Sequence, residues 1–159
     1  MSFEKENFLR TKLVSYLQQL DPDTPPRWGK MSVQQMIEHF GGDAVRNANG
    51  HLKIDTIITP PENLQSMREF MMSEKPFKEN TKNPLLGKEP APLRYKTIQA
   101  AIGALQQELI YFFEAFEKDH ALIIRNPFFG DLTFEQSVQL LYKHALHHLR
   151  QFGVEPLHT

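Results

Sequence analysis

Residues 98–116, IQAAIGALQQELIYFFEAF, decide the fold. Ile98, Ile102, Leu105, Leu109, Phe112 and Phe116 recur at alternating spacings of four and three. On a helix that turns about 100° per residue, this lines them along one side. Such a seam is typical of a helix in an antiparallel bundle and needs partner helices with matching stripes. Three further segments supply them. From Phe3 to Leu20 the apolar residues Leu9, Leu13, Tyr16, Leu17 and Leu20 keep helical spacing until Asp21-Pro22 stops the run. In MSVQQMIEHFGGDAVRNANG (31–50), Ser32 followed by Gln35 is a capping-box signature, and Val33, Met36, Ile37, Phe40 and Ala44 form the stripe. This second helix is expected to reach Asn47 or Ala48, with a kink or an early end at Gly41-Gly42. A fourth helix starts at Thr133, has Gln136 in the capping-box position, and ends at the C-cap candidate Gly153.

Residues 49–95 separate the second and third helices and hold six of the eleven prolines, so they do not form one long helix. Pro61 to Ser73 reads as a short helix opened by proline, and HLKIDTIIT (51–59) as a short extended piece. At ~3.3 Å per extended residue against ~1.5 Å per helical residue, such a connection spans a helix of about 25 Å, so the two helices it joins could run parallel. The expected fold is all-α: a four-helix bundle with one long crossover between helices two and three, in a single domain over 1–159.

Composition narrows the function. The 18 Lys and Arg against 19 Asp and Glu give a net charge of −1 without a dense block of either sign, which argues against a nucleic-acid partner. No window approaches the ~18 apolar residues of a membrane span, and the charged start lacks the apolar core of a secretory signal, so a cytoplasmic protein without a membrane partner is expected. The absence of cysteine leaves His, Asp and Glu as the only ligands for a transition metal.

Three of the seven histidines fall in YKHALHHLRQFG (142–153). Phe134, Val138, Leu141, Ala145, Leu149 and Phe152 define the apolar stripe of the fourth helix. Relative to its centre, His148 lies about 55° away, His144 about 95° and His147 about 155°. That puts His148 beside the core, His144 on its flank, and His147 in solvent with Lys143 and Arg150. His144 and His148, four apart, can converge on one ion; His144 and His147, three apart, could also share one if His147 turned from its assigned side. An equally good reading has one imidazole packed in the core and the others wet. His39 sits on the flank of the second helix, one turn before Asp43 and next to Glu38.

DPDTPPRWGKMSVQQMIEHF (21–40) and NPFFGDLTFEQSVQLLYKHALHHLRQFG (126–153) resemble the DinB-like superfamily of bacterial four-helix bundles, in particular short members with a Trp-Gly-Lys-Met element and a His-x-x-His-His-x-x-Gln ending. The resemblance is specific at those two motifs and vague from about Asn49 to Arg94. It implies a divalent metal, zinc or nickel, on His39, His144 and His148, and leaves His147 unassigned. Some members transfer a low-molecular-weight thiol to an electrophile, and others are called metal-dependent hydrolases. The resemblance thus implies a metal-dependent enzyme acting on a small-molecule substrate, with a homodimer expected by analogy; the alternative is a non-catalytic stress or binding protein with a structural metal. Three imidazoles would leave a zinc position open, whereas structural zinc sites are closed by four protein ligands. Gln151, three residues beyond His148, and Asp43, four beyond His39, are the candidates to support the ligand histidines from behind; read otherwise, they are a surface amide and a solvated charge.

Trp28, the single tryptophan, is expected to staple the entrance of the second helix to the core. NPFFG (126–130) reads as a turn into the fourth helix, its aromatics near the open end of the metal pocket, while Phe112, Phe113 and Phe116 read as core. His51, His120 and His158 have nothing to recommend them as ligands. Neither a nucleophile-elbow pattern nor a phosphate-cradling glycine motif is present.

Overall fold

The computed structural model describes residues 3–80, 87 and 89–156. Each segment with helical periodicity is helical. α1 runs through the consecutive stretches Phe3–Asn7, Phe8–Lys12 and Leu13–Gln19, and α2 through Val33–His39, Phe40–Val45 and Arg46–Ala48. α3 is Pro61–Met72, α4 is Ile98–Lys118 and α5 is Phe134–Gln151. Strands β1 (Ile124–Asn126) and β2 (Gly130–Leu132) form a small antiparallel hairpin between α4 and α5. The fold is all-α apart from that hairpin.

Local chemistry sets the helix boundaries. Ser32 and Thr133 both close capping boxes, each hydroxyl accepting from the backbone N–H of the glutamine three residues on while that glutamine's side chain accepts from the cap's own N–H. The Thr97 hydroxyl caps α4 by accepting from the Ala100 N–H. At the end of α5, Gly153 N–H bonds the Arg150 carbonyl and Val154 N–H the Leu149 carbonyl. This Schellman closure needs the left-handed φ of +81° that Gly153 adopts.

The middle stretches of α1 and α2 are π-helical, five and six residues long. In α2 the wide turn begins at Phe40 and takes in Gly41-Gly42; the helix does not end at the glycines but continues to Ala48. Gly41 is there for contact: a Cβ at that position would lie 3.1 Å from the Cα of Leu105, so α2 and α4 meet backbone to backbone.

One apolar core joins α1, α2, α4 and α5 through residues such as Leu9, Leu13, Met36, Ile37, Leu105, Phe112, Leu141 and Leu149. The seam of α4 is buried as its spacing requires, except that Ile98 is only partly covered, and Ala101 and Phe113 widen the buried face. Phe112 is fully buried, and truncating such a ring to alanine costs about 3–5 kcal/mol.

The crossover supplies a second layer. α3 packs on α5 and, with Phe129 and Leu132 of the hairpin, builds a satellite core around the fully buried Met71. Residues 51–59 form no strand; their link to the hairpin includes Ile58 N–H to the Pro127 carbonyl, 2.7 Å. NPFFG is the tip of the hairpin, turned by the Asn126 side chain, whose oxygen accepts from the N–H groups of Phe128 and Phe129.

Among the described residues, no helix is long and apolar enough to cross a membrane.

Candidate metal centre

α2 and α5 face each other with a histidine cluster between them. One nitrogen each from His39, His144 and His148 lies within 4.8 Å of the others, a grouping that could hold a metal ion. Ring centroids are 5.6 Å apart for His39 and His144, 5.3 Å for His39 and His148, and 4.6 Å for His144 and His148. His148 is buried; His39 and His144 are partly exposed.

The hydrogen bonds on the outer nitrogens decide which way the lone pairs point. His39 Nδ1 lies 2.9 Å from Asp43 Oδ2. A carboxylate only accepts, so Nδ1 carries the proton and Nε2 is left with its lone pair. The His39 hydrogen bond, assisted by the positive charges of Arg94 and Arg46, holds the Asp43 carboxyl below its usual range and keeps it an acceptor. On α5, His148 Nδ1 lies 2.9 Å from Gln151 Oε1. The Gln151 amide has a fixed direction because its Nε2 donates to the Trp28 carbonyl at 3.0 Å. His148 is therefore also protonated at Nδ1 with its Nε2 lone pair free.

The Nε2 atoms of His144 and His148 are 2.8 Å apart. With no proton on Nε2 of His148, this contact is either a hydrogen bond donated by His144 or two lone pairs aimed at one cation. Two imidazoles binding one zinc at ~2.0–2.1 Å would have their nitrogens about 2.9–3.4 Å apart, so a small adjustment suffices. Burial pushes the His148 imidazole down to about 3 and His144 well below its ordinary value. Both rings are thus neutral at pH 7, the form a metal requires.

Neither neighbouring carboxylate completes a fourth position. Asp43 Oδ2 is turned to the outer nitrogen of His39, and Glu38, although buried, accepts from the backbone N–H groups of Arg94 and Tyr95 at 2.6 and 3.3 Å. Among the described residues, the donor group consists of the three histidines.

The structure thus brings His39, His144 and His148 together, and sets Asp43 on Nδ1 of His39 and Gln151 on Nδ1 of His148. His147 and Lys143 differ from expectation. His147 is half-buried rather than solvated: its ring lies 5.2 Å from Trp28, 6.0 Å from Phe77 and 5.3 Å from His148. Lys143 is buried, its ammonium donating to the carbonyls of Phe70 and Ser73 and lying 4.0 Å from the centre of the Phe70 ring. The apolar stripe marks one packed side of α5; the crossover covers another, the one that carries Lys143 and His147. Trp28 is half-buried against α5, its ring beside His147 and its carbonyl accepting from Gln151.

The aromatic neighbours of the cluster are Phe40 and Phe77, 5.3 and 6.2 Å from the His144 ring. Phe129 stacks behind Phe77 at 6.3 Å and is one ring removed from the cluster. Phe77 lies in a loop without periodicity, and no sequence signal marks it. His51 pairs with Glu108 at 3.3 Å, His120 is exposed, and His158 lies outside the described residues.

A family model described as the DinB superfamily matches residues 7–152, and the chain belongs to that superfamily. No curated protein and no solved structure gives a significant match.

Proposed function

We propose that this member of the DinB superfamily binds a divalent metal, zinc or nickel, on His39, His144 and His148, and acts on a small molecule there as a hydrolase or as a transferase of a low-molecular-weight thiol. The observation that carries this reading is the donor set. Two of the three imidazoles have their Nδ1 protons committed, to Asp43 and to Gln151, so their remaining lone pairs converge beside His144. Asp43 and Glu38 are both engaged elsewhere, which favours an open coordination position over a closed structural site.

A metal held there would supply Lewis-acid chemistry, activating water near neutral pH or keeping a small thiol as thiolate. The chain's own contribution is orientation and dryness. Asp43 and Gln151 fix two tautomers and ring angles. The core side of His148 is closed by Leu13, Met36, Ile37 and Leu149 around a cavity of about 10 Å³, too tight for a substrate. A separate cleft of about 180 Å³, lined by Asn47, Gly50, Leu52, Ile54, Ile124 and Arg125, shares no residue with the cluster.

The test is turnover by purified protein with zinc, nickel or manganese, on ester and amide substrates and on small thiols paired with an electrophile. The expected result is metal-dependent turnover that His148→Ala abolishes. Absence of metal-dependent turnover on both panels, with tight metal binding retained, would favour a structural metal instead.

A further inference from the structure

Three half-buried rings from three separate elements meet beside the histidine cluster. Trp28 comes from the loop before α2, Phe77 from the crossover after α3, and His147 from α5. His147 is the middle ring, 5.2 Å from Trp28 and 6.0 Å from Phe77. The set is continuous with the cluster, because Phe77 meets the His144 ring edge-on at 6.2 Å and His147 meets His148 at 5.3 Å.

The segments that carry Trp28 and Phe77 are both tied down. The Trp28 carbonyl accepts from Gln151, and Arg27 N–H donates to the Gln151 carbonyl at 2.7 Å, which ties this loop to the end of α5. Phe77 is backed by Phe70 and Phe129 at 5.8 and 6.3 Å. The chain segment that delivers it is held by Lys143 and Gln139, which donate to the carbonyls of Phe70, Met71 and Ser73. Aliphatic side chains close the core side of His148, whereas His39 and His144 are partly exposed and Phe77 lies beside the His144 ring.

We infer that Trp28, His147 and Phe77 form the substrate-recognition wall of the metal centre and that it takes a flat apolar or aromatic group on the molecule whose polar end reaches the metal. Stacked and edge-on contacts between rings reward a planar group beyond the area it buries. His147 serves in this wall as a ring rather than as a ligand. The inference rests on the metal-site reading above.

Two hydroxamates separate the wall from the metal. Acetohydroxamate and benzohydroxamate present the same chelating end and differ in whether they carry a ring. On zinc-loaded protein, benzohydroxamate is expected to bind about tenfold tighter or more. It should also alter the emission of Trp28, the single tryptophan. Phe77→Leu, which keeps apolar bulk and fold, should remove most of that preference while leaving acetohydroxamate and zinc affinities unchanged. Equal affinity of the two hydroxamates in the parent protein would overturn the wall and leave the metal centre standing. A preference that survives both Phe77→Leu and His147→Ala would overturn it as well. Failure of both compounds to bind zinc-loaded protein would refute the open site and this inference with it.

Discussion

Replacing Gln151 with leucine tests how the cluster is tuned. Gln151 is 4% exposed and links two groups: its oxygen accepts from His148 Nδ1 at 2.9 Å and its nitrogen donates to the Trp28 carbonyl at 3.0 Å. Leucine fills similar space and offers neither bond. The Trp28 carbonyl belongs to a half-exposed loop and can turn to water. The His148 Nδ1–H, in a residue 6% exposed, cannot. An orphaned buried donor costs about 1–3 kcal/mol. The metal-free protein can escape part of that cost by moving the His148 proton to Nε2, where His144 can accept it. Metal binding then has to move it back. Zinc affinity should therefore fall by about 10- to 100-fold, in line with other losses of a ligand's outer hydrogen bond. Competition titration against a chromogenic chelator measures it, with a melting curve of the metal-free protein as the control for folding. Unchanged zinc affinity in a folded Gln151→Leu protein would refute the reasoning, because the proton on His148 would then not be set by Gln151.

Other perturbations have equally definite outcomes. Gly41→Ala places a Cβ 3.1 Å from the Leu105 backbone, so it should destabilise by about 1–3 kcal/mol in chemical denaturation; a neutral result would mean that α2 and α4 are free to separate. Lys143→Ala removes the ammonium that holds the carbonyls of Phe70 and Ser73 and should cost about 2–3 kcal/mol, with faster amide exchange at the end of α3. Unchanged exchange there would show that α3 docks without it. Acid should weaken the metal-free fold through His144 and His148. In the unfolded chain they take up protons below about pH 6.5, whereas burial keeps them neutral in the folded state, His148 down to about 3. Their contribution is therefore complete above about pH 6.5 and is lost as pH falls towards 3. His148→Gln should flatten the dependence of melting temperature on pH in that window, and an unaltered slope would contradict it.

The helices and the chemistry of the cluster were legible in the sequence for different reasons. Periodicity in Ile98 to Phe116 and the capping boxes at Ser32 and Thr133 are local signals, and α4, α2 and α5 begin where those signals stand. His144 and His148 could be paired because residues four apart lie about 40° apart around a helix axis. Selecting His39 needed the family resemblance, since its own flank position allows solvent equally well. Lys143 and His147 were misread because angle measures distance from one apolar stripe, and α5 has a second partner. The crossover brings Phe70, Ser73 and Phe77 over the other face, and no periodicity in a proline-rich loop announces where such residues land. The π turn of α1 lacks any glycine or proline to mark it, whereas that of α2 contains the Gly41-Gly42 pair.

The central claim is that three imidazoles hold a metal and leave room on it. Anomalous diffraction at the zinc edge from crystals of zinc-loaded protein tests it most directly. The account predicts one ion bound by nitrogens of His39, His144 and His148 at ~2.0–2.1 Å, with the remaining position taken by solvent. An ion bound by a fourth protein ligand, or one seated away from these three histidines, would contradict it.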